Sequence, residues 1–330
     1  MRALKVLFLA TGGAAIGVAA WLWWFATHPV ALPTTPFEFT VHTGATVKSV
    51  SRQLAQQGLL HEGESLWILA RILGRARTIQ AGTYRLDQPV TPIELLDKMR
   101  RGDVVMVEMI FIEGTTLRQW LAQLAEEPLV RHTLAGKPEA ELRAAIGIAQ
   151  SSGEGWFFPD TYRFAPGVSD VDILKRAHAA MKKRLEEGWQ ARDPELPLTD
   201  PYQALILASI VEKETAAPDE RPLVASVFVN RLKRGMRLQT DPTVIYGMGA
   251  SYDGNIRKRD LTTDTPWNTY TRDGLPPTPI AMPGAGAIHA AVQPAKTDYL
   301  YFVARGNGTH EFTRSLEEHN RAVAKYQLHR

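Results

Sequence analysis

The chain has 330 residues, 45 % apolar and 22 % charged, a normal balance for folded domains and length enough for two of them. Its net charge is only +3 and no basic block is interleaved with aromatic residues, which argues against a nucleic-acid partner. Cysteine is absent, so disulfides, zinc–thiolate sites and thiol nucleophiles are excluded.

Residues 6–26 are uncharged and mostly apolar, close to the roughly 20 residues a helix needs to span a bilayer. Arg2 and Lys5 precede this stretch, and Trp21, Trp23, Trp24 and Phe25 close it as an interfacial aromatic belt. The positive-inside rule then predicts a cytoplasmic tail (1–5), a single transmembrane helix (6–26) in the cell inner membrane, and everything beyond in the periplasm. A cleaved signal peptide, with Val18-Ala19-Ala20 as its small-residue site, is the alternative; the length and the tryptophans favour a retained anchor. Residues 27–36 are rich in proline, lack periodicity and read as a stiff linker.

Two related segments follow. Val41-His-Thr-Gly44-Ala-Thr46-Val47 leads to Gln53, Leu54 and Ala55; Phe111-Ile-Glu-Gly114-Thr-Thr116-Leu117 leads to Gln123, Leu124 and Ala125 at the same offset. Each predicts a short strand that turns at Gly and runs into a helix capped by Thr. The first copy continues through a helix over 64–73, a strand over Gly82–Leu86 and a helix over 91–101. Strand, helix, helix, strand within 37–104 makes a small α+β module that resembles a LysM domain, a peptidoglycan-binding fold; a structural spacer is the other reading. From 105 to 330 a second α+β domain is predicted, with helices over Leu117–Glu126, 138–149, 171–188, 202–215 and 219–234. After Gly235 the chain is rich in Gly, Pro, Thr and Asn, which predicts loops that carry a site.

The stretch YQALILASIVEKET, starting at Tyr202, carries two acids near its end. With Leu205 at 0° on a helical wheel, the apolar arc centres near roughly 170°; Glu214 falls at about 180°, inside it, and Glu212 at about 340°, opposite. Glu212 is therefore expected to be solvated and Glu214 desolvated. Burial raises a carboxyl pKa and keeps its proton on, which suits a general acid. The other reading has Glu214 at a frayed helix end, paired with Lys213 or Arg221.

No HExxH or other close His spacing, GxSxG elbow or GxxxxGK[ST] loop occurs, and Gly284-Ala-Gly286 lacks the strand and third glycine of a dinucleotide site. No metal or cofactor is expected. Three segments combine aromatics with hydrogen-bonding side chains: Glu154 to Tyr162 with Asp160, Leu238 to Tyr246 with Gln239, Thr240 and Asp241, and Trp267-Asn268-Thr-Tyr270. Apolar ring faces beside amides and carboxylates suit a sugar polymer, although each residue alone could equally serve turns or core.

The runs Ala-Ser-Ile-Val-Glu-Lys-Glu-Thr, Val227-Phe-Val-Asn230-Arg-Leu232, Leu238-Gln-Thr-Asp-Pro-Thr-Val-Ile-Tyr-Gly-Met248, Asn268-Thr-Tyr and Gly274-Leu-Pro-Pro are similar to the YceG-like endolytic murein transglycosylase family, usually called MltG. The resemblance runs from the anchor to the C-terminus. It implies a lyase that cuts the β-1,4 bond between MurNAc and GlcNAc in nascent glycan strands, forms 1,6-anhydro-MurNAc and so terminates glycan elongation. The family's catalytic acid, the second Glu of its E-x-E pair, falls on Glu214. Gln239, Thr240, Asp241, Tyr246, Asn268, Tyr270, Glu154 and Asp160 are the candidates for holding the glycan. If Asp241 lies across the groove from Glu214, ordinary two-carboxylate hydrolysis becomes an alternative. A membrane-tethered peptidoglycan binder without turnover is the reading from another class. A tethered enzyme of this kind is expected to work beside peptidoglycan glycosyltransferases and penicillin-binding proteins.

Overall fold

Alternating apolar residues on two short strands can be buried only against helices, and the first part of the chain does this. The computed structural model describes residues 2–76 and 79–328. Its contacts divide the chain into two compact units, Met1–Val107 with Arg163–Gly167, and Glu108–Tyr162 with Val168–Arg330.

The first unit contains α1 (Arg2–Thr27), β1 (Phe37–Val41), α2 (Val47–Gln56), α3 (Ser65–Ile72), β2 (Gly82–Leu86) and α4 (Pro92–Arg101). β1 and β2 pair antiparallel from Phe37↔Leu86 to Val41↔Gly82. Phe37, Phe39 and Val41 point into a core with Leu54, Leu66, Leu95, Leu96 and Met99, while Glu38 points out. Tyr84, fully buried, donates its hydroxyl proton towards the carbonyls of Gln80 and Met99, at 2.7 and 3.0 Å. Ala26, at the end of α1, is buried in this same core. The span expected over residues 6–26 lies within α1, but the side chains of residues 1–12, 14 and 15 fall outside the described residues. Among the described residues no helix is long and apolar enough to cross a membrane.

The duplicated segment takes the same local form twice. Gly44 and Gly114 adopt φ of +82° and +74°, where a side chain would be strained. Thr46 and Thr116 cap α2 and α5 (Leu117–Glu126) with reciprocal bonds to Ser49 and Gln119. The Gln53 amide donates to the Thr40 carbonyl at 3.1 Å, and the Gln123 amide to the Ile110 carbonyl at 3.0 Å. Each shared residue type thus ties a helix to the strand before it.

β3 (Val107–Ile110) precedes α5; α6 (Glu139–Ile146), β4 (Thr161–Phe164), α7 (Asp170–Gln190), α8 (Pro201–Glu214) and α9 (Arg221–Lys233) follow. β3 and β4 form a second two-stranded sheet. The segment expected to be loops after Gly235 instead holds α10 (Asp241–Met248), α11 (Lys258–Thr262), α12 (Ala285–Val292), a hairpin of β5 (Tyr301–Ala304) and β6 (His310–Thr313), and α13 (Leu316–Val323). These elements are short and gain their stability from tertiary packing rather than propensity.

α8 is the centre of the second unit. It packs against α7, α9, α10 and α12, and every residue from Ala204 to Val211 is buried. A helix apolar on all sides has no solvated face, which corrects the expectation for Glu212. Its side chain is only 5 % exposed and pairs with Arg221 at 3.1 Å, while its other oxygen accepts the Gly284 amide at 2.8 Å. Burial raises the Glu212 pKa against the pull of that amide and of Arg221. Glu113 approaches the same guanidinium at 3.5 Å. Gly284 and Gly286 make this cluster possible, because a Cβ would lie 1.8 Å from Glu113 Oε1 at Gly284 and 2.6 Å from Arg221 Nη1 at Gly286.

Arg221→Met should strand the Glu212 carboxylate, and breaking a buried pair costs about 3 kcal/mol. The loss should be large at pH 8 and smaller at pH 5, where Glu212, its pKa already raised, takes up a proton. Urea unfolding at the two pH values measures the difference.

Candidate active site

The C-terminal end of a helix with no polar face is where a functional group can reach a cleft without disturbing the core. Glu214 is the last residue of α8, and it lines a cavity of about 440 Å³ with Arg231, Gln239, Asp241, Tyr270, Tyr301 and His319 among its neighbours. Its carboxylate accepts a hydrogen bond from the Thr240 hydroxyl. Burial raises its pKa to about 7; the Thr240 bond opposes the rise, the charge of Asp241 adds to it, and Arg231 opposes it more weakly. The α8 macrodipole acts in the same sense as burial, since a helix C-terminus disfavours negative charge. Neither Lys213 nor Arg221 pairs with Glu214: Lys213 Nζ donates to the Gly114 carbonyl at 3.1 Å, and Arg221 serves Glu212 and Glu113.

Asp241 has the opposite setting. It is exposed and lies in the first turn of α10, where the helix dipole favours an anion. The Tyr270 hydroxyl donates to its Oδ1 at 2.6 Å. The cleft therefore holds two carboxyl groups at opposite helix poles, Glu214 at the C-terminal end of α8 and Asp241 at the N-terminal end of α10.

Gln239 is, among the described residues, the sole non-glycine with positive φ, at +50°. Its amide N–H donates to the Thr269 carbonyl at 3.1 Å, which fixes this conformation and turns the side chain into the cleft. Such backbone strain concentrates at functional sites. Thr240 is 2 % exposed and its amide donates to the Thr269 hydroxyl at 3.0 Å, so the group touching Glu214 is held rigidly.

The remaining candidates fall elsewhere. Tyr246 lies five residues beyond Asp241, about 140° around the helix, and faces a second cavity of about 470 Å³. Its hydroxyl donates to Glu154 Oε2 at 3.1 Å, and Glu154 Oε1 accepts the Leu117 amide at 3.0 Å. Burial raises Glu154 to about 7, opposed by both bonds. Asn268 is fully buried; its Nδ2 donates to the carbonyls of Asp260, Leu261 and Thr263, and its Oδ1 accepts the Tyr270 amide at 2.9 Å. Its polar atoms are all engaged, so Asn268 positions Tyr270 and offers nothing to a ligand. Asp160 is exposed, lines neither cavity, and accepts the amide of Thr161.

Arg231 was not anticipated. Buried on α9, it donates to the carbonyls of Leu300, Leu238 and Arg237 at 2.7, 2.8 and 3.2 Å, and its guanidinium sits 5.0 Å from the Tyr301 ring. The signal for it was a polar pair, Asn230-Arg231, interrupting an apolar helix; Asn230 likewise donates to the carbonyls of Thr297 and Tyr299. Together they strap the segment before β5 against α9, and β5 with α13 forms the far wall of the cleft. Among the described residues no group of three or more His, Asp and Glu could hold a metal ion.

A family model described as the YceG-like family matches residues 39–325. An endolytic murein transglycosylase of Bacillus subtilis (strain 168) is 32 % identical over 312 residues, covering 88 % of this chain and 85 % of that protein. One from Streptococcus pneumoniae serotype 2 is 27 % identical over 319 residues, covering 86 % of this chain and 57 % of that protein. A crystal structure of a YceG-like protein from Listeria monocytogenes superposes with a TM-score of 0.54 at 28 % identity, covering 87 % of this chain and 98 % of that one.

Carboxyl-carbon NMR titration should show Glu214 releasing its proton near pH 7. In a Thr240→Val variant the midpoint should move upward, because the bond favouring the charged form is gone. Gln239→Gly should hold stability within about 1 kcal/mol of the wild type, since glycine relieves the φ of +50°. Gln239→Ala keeps the strain, so in thermal unfolding it should melt below the glycine variant.

Proposed function

The chain belongs to the YceG-like family, and from that premise we propose that it is an endolytic lytic transglycosylase acting on the glycan strands of peptidoglycan. The observation that carries this reading is Glu214, a carboxyl raised to about 7 at the edge of a cleft of about 440 Å³, bonded to a hydroxyl rather than to a cation. Such a group is protonated often enough at neutral pH to donate to a glycosidic oxygen.

In this reading Glu214 gives its proton to the oxygen leaving C1 of MurNAc as the C1–O bond breaks. Positive charge develops on the sugar ring, and the Asp241 carboxylate, fixed by Tyr270, stabilises it. Glu214, now ionised, takes the proton from the C6 hydroxyl of the same MurNAc while that oxygen closes on C1. The product is 1,6-anhydro-MurNAc, no water is consumed, and the acid is restored. Gln239, at the cleft wall, is the hydrogen-bonding group for the sugar beside the cut.

The first unit is proposed as a LysM-like glycan-holding module, supported by its β1–α2–α3–β2 order and antiparallel strand pair. We also propose that α1 anchors the chain in the inner membrane with the catalytic unit in the periplasm. The uncharged stretch after Arg2 and Lys5 supports this, as do Trp21, Trp23 and Trp24, which are 41, 69 and 54 % exposed at its end. An enzyme tethered there meets strands as they emerge from glycan polymerases, the penicillin-binding proteins among them.

Purified glycan strands should yield 1,6-anhydro-MurNAc ends, and Glu214→Gln should slow their release by about 100-fold or more, the usual worth of a general acid. kcat/KM should fall as pH rises through about 7, because the free enzyme must carry the Glu214 proton. Reducing MurNAc ends in place of anhydro ends would assign hydrolysis with Asp241 as the second carboxylate; retention on sacculi with no cleavage at all would assign a binder.

A further inference from the structure

The second cavity does not belong to the acid that cuts, yet the same two helices line both cavities. Along α8, Lys213 lines the second cavity and Glu214 the first; along α10, Pro242 lines the second and Asp241 the first. Neighbouring Cα atoms are about 3.8 Å apart, so the two cavities flank the same stretch of α8 and α10, within the reach of a substituent on a sugar held beside Glu214.

The second cavity differs from the cleft in charge. Arg118 makes no ion pair or hydrogen bond among the described residues, and Lys213 has no carboxylate partner there, its ammonium meeting only the Gly114 carbonyl. Both side chains are exposed and both line this cavity. Glu154 is its one acid, and burial raises that carboxyl to about 7. Tyr246 and Trp267, in an edge-on contact at 5.4 Å, and Tyr252 supply apolar walls. Two cations without anions, an acid whose charge burial disfavours and aromatic walls fit an anionic, partly apolar ligand better than a bare sugar.

We propose that this cavity is a subsite for the acidic stem peptide carried by the muramoyl residue next to the cut, with Arg118 and Lys213 binding its carboxylates. The proposal rests on the peptidoglycan reading above. It makes Arg118 and Lys213 specificity-determining residues: they select strands that still bear peptides and take no part in bond cleavage.

The test uses the full-length protein and uncrosslinked glycan strands, either bearing stem peptides or stripped of them by an amidase, with release of 1,6-anhydro-MurNAc ends as the readout. Wild type should favour stem-bearing strands by about tenfold, mostly in KM, the worth of one charge-assisted hydrogen bond. Arg118→Ala should abolish most of that preference and cut stripped strands at the wild-type rate; Arg118→Lys should retain part of it. Lys213→Gln should act in the same direction. Equal cleavage of both strand types by the wild type overturns the subsite and leaves the transglycosylase reading standing. Equal slowing of both strand types by Arg118→Ala also overturns it. Absence of anhydro ends from both strand types overturns the parent reading instead.

Discussion

The second unit is organised around one difficulty: a carboxyl group is desolvated, its pKa raised to about 7, at the end of a helix that has no polar face. α8 is buried along Ala204 to Val211, so the energy for desolvating Glu214 comes from the packing of α7, α9, α10 and α12 around that apolar run. Burial and the helix C-terminus both disfavour the anion there. A looser core around α8 would let water reach Glu214 and return it towards an ordinary carboxylate. The pKa of one side chain is in this sense a property of the packing of four helices.

The cleft wall follows from the same arrangement. Arg231 is buried within reach of Glu214's field, and an unpaired guanidinium there would pull the acid into its charged form. It is occupied by the carbonyls of Leu300, Leu238 and Arg237 and by the Tyr301 ring. Those carbonyls belong to the segments that lead into β5 and carry the strained Gln239. One buried arginine therefore positions both the polar lip of the cleft and the C-terminal wall, and its effect on Glu214 is left weaker than that of burial.

What was legible in the sequence depended on whether the determinant was local. The repeated Gly and Thr of the duplicated segment encode a turn and a helix cap within about a dozen residues, and they appear as read; the Gln bond back to the strand is added by the structure. The helical wheel placed Glu214 on the buried side because a core-facing direction at a helix end survives any packing of that helix. It misplaced Glu212 because a wheel assumes one wet side, whereas α8 is enclosed; the uninterrupted ALILASIV run carried that information. Tyr246 was grouped with Gln239 and Asp241 by proximity in sequence, and a helical turn sent it to another cavity. Asn268 looked like a sugar ligand because its type suits one, but three backbone carbonyls consume its donors. The elements after Gly235 were hidden because α10, α12 and the β5–β6 hairpin are each about four to eight residues long and held by contacts distant in sequence.

The two glutamates at the end of α8 differ most in the partner each has been given. Glu212 faces a guanidinium and a backbone amide, groups that can only donate; they reward the anion and have nothing to offer a carboxylic acid proton. Glu214 faces a threonine hydroxyl, which donates to a carboxylate and can also accept from a carboxylic acid. A group that surrenders a proton and recovers it within one catalytic cycle needs a neighbour that tolerates both states without rearrangement. An arginine in place of Thr240 would lock Glu214 into the charged form, and an aliphatic side chain would leave the charged intermediate without a donor. The hydroxyl is the one of these that stabilises the transient carboxylate without abolishing the resting acid. Two residues apart on one helix, the first acid thus braces α12, and the second has the partner that the proposed proton transfer requires.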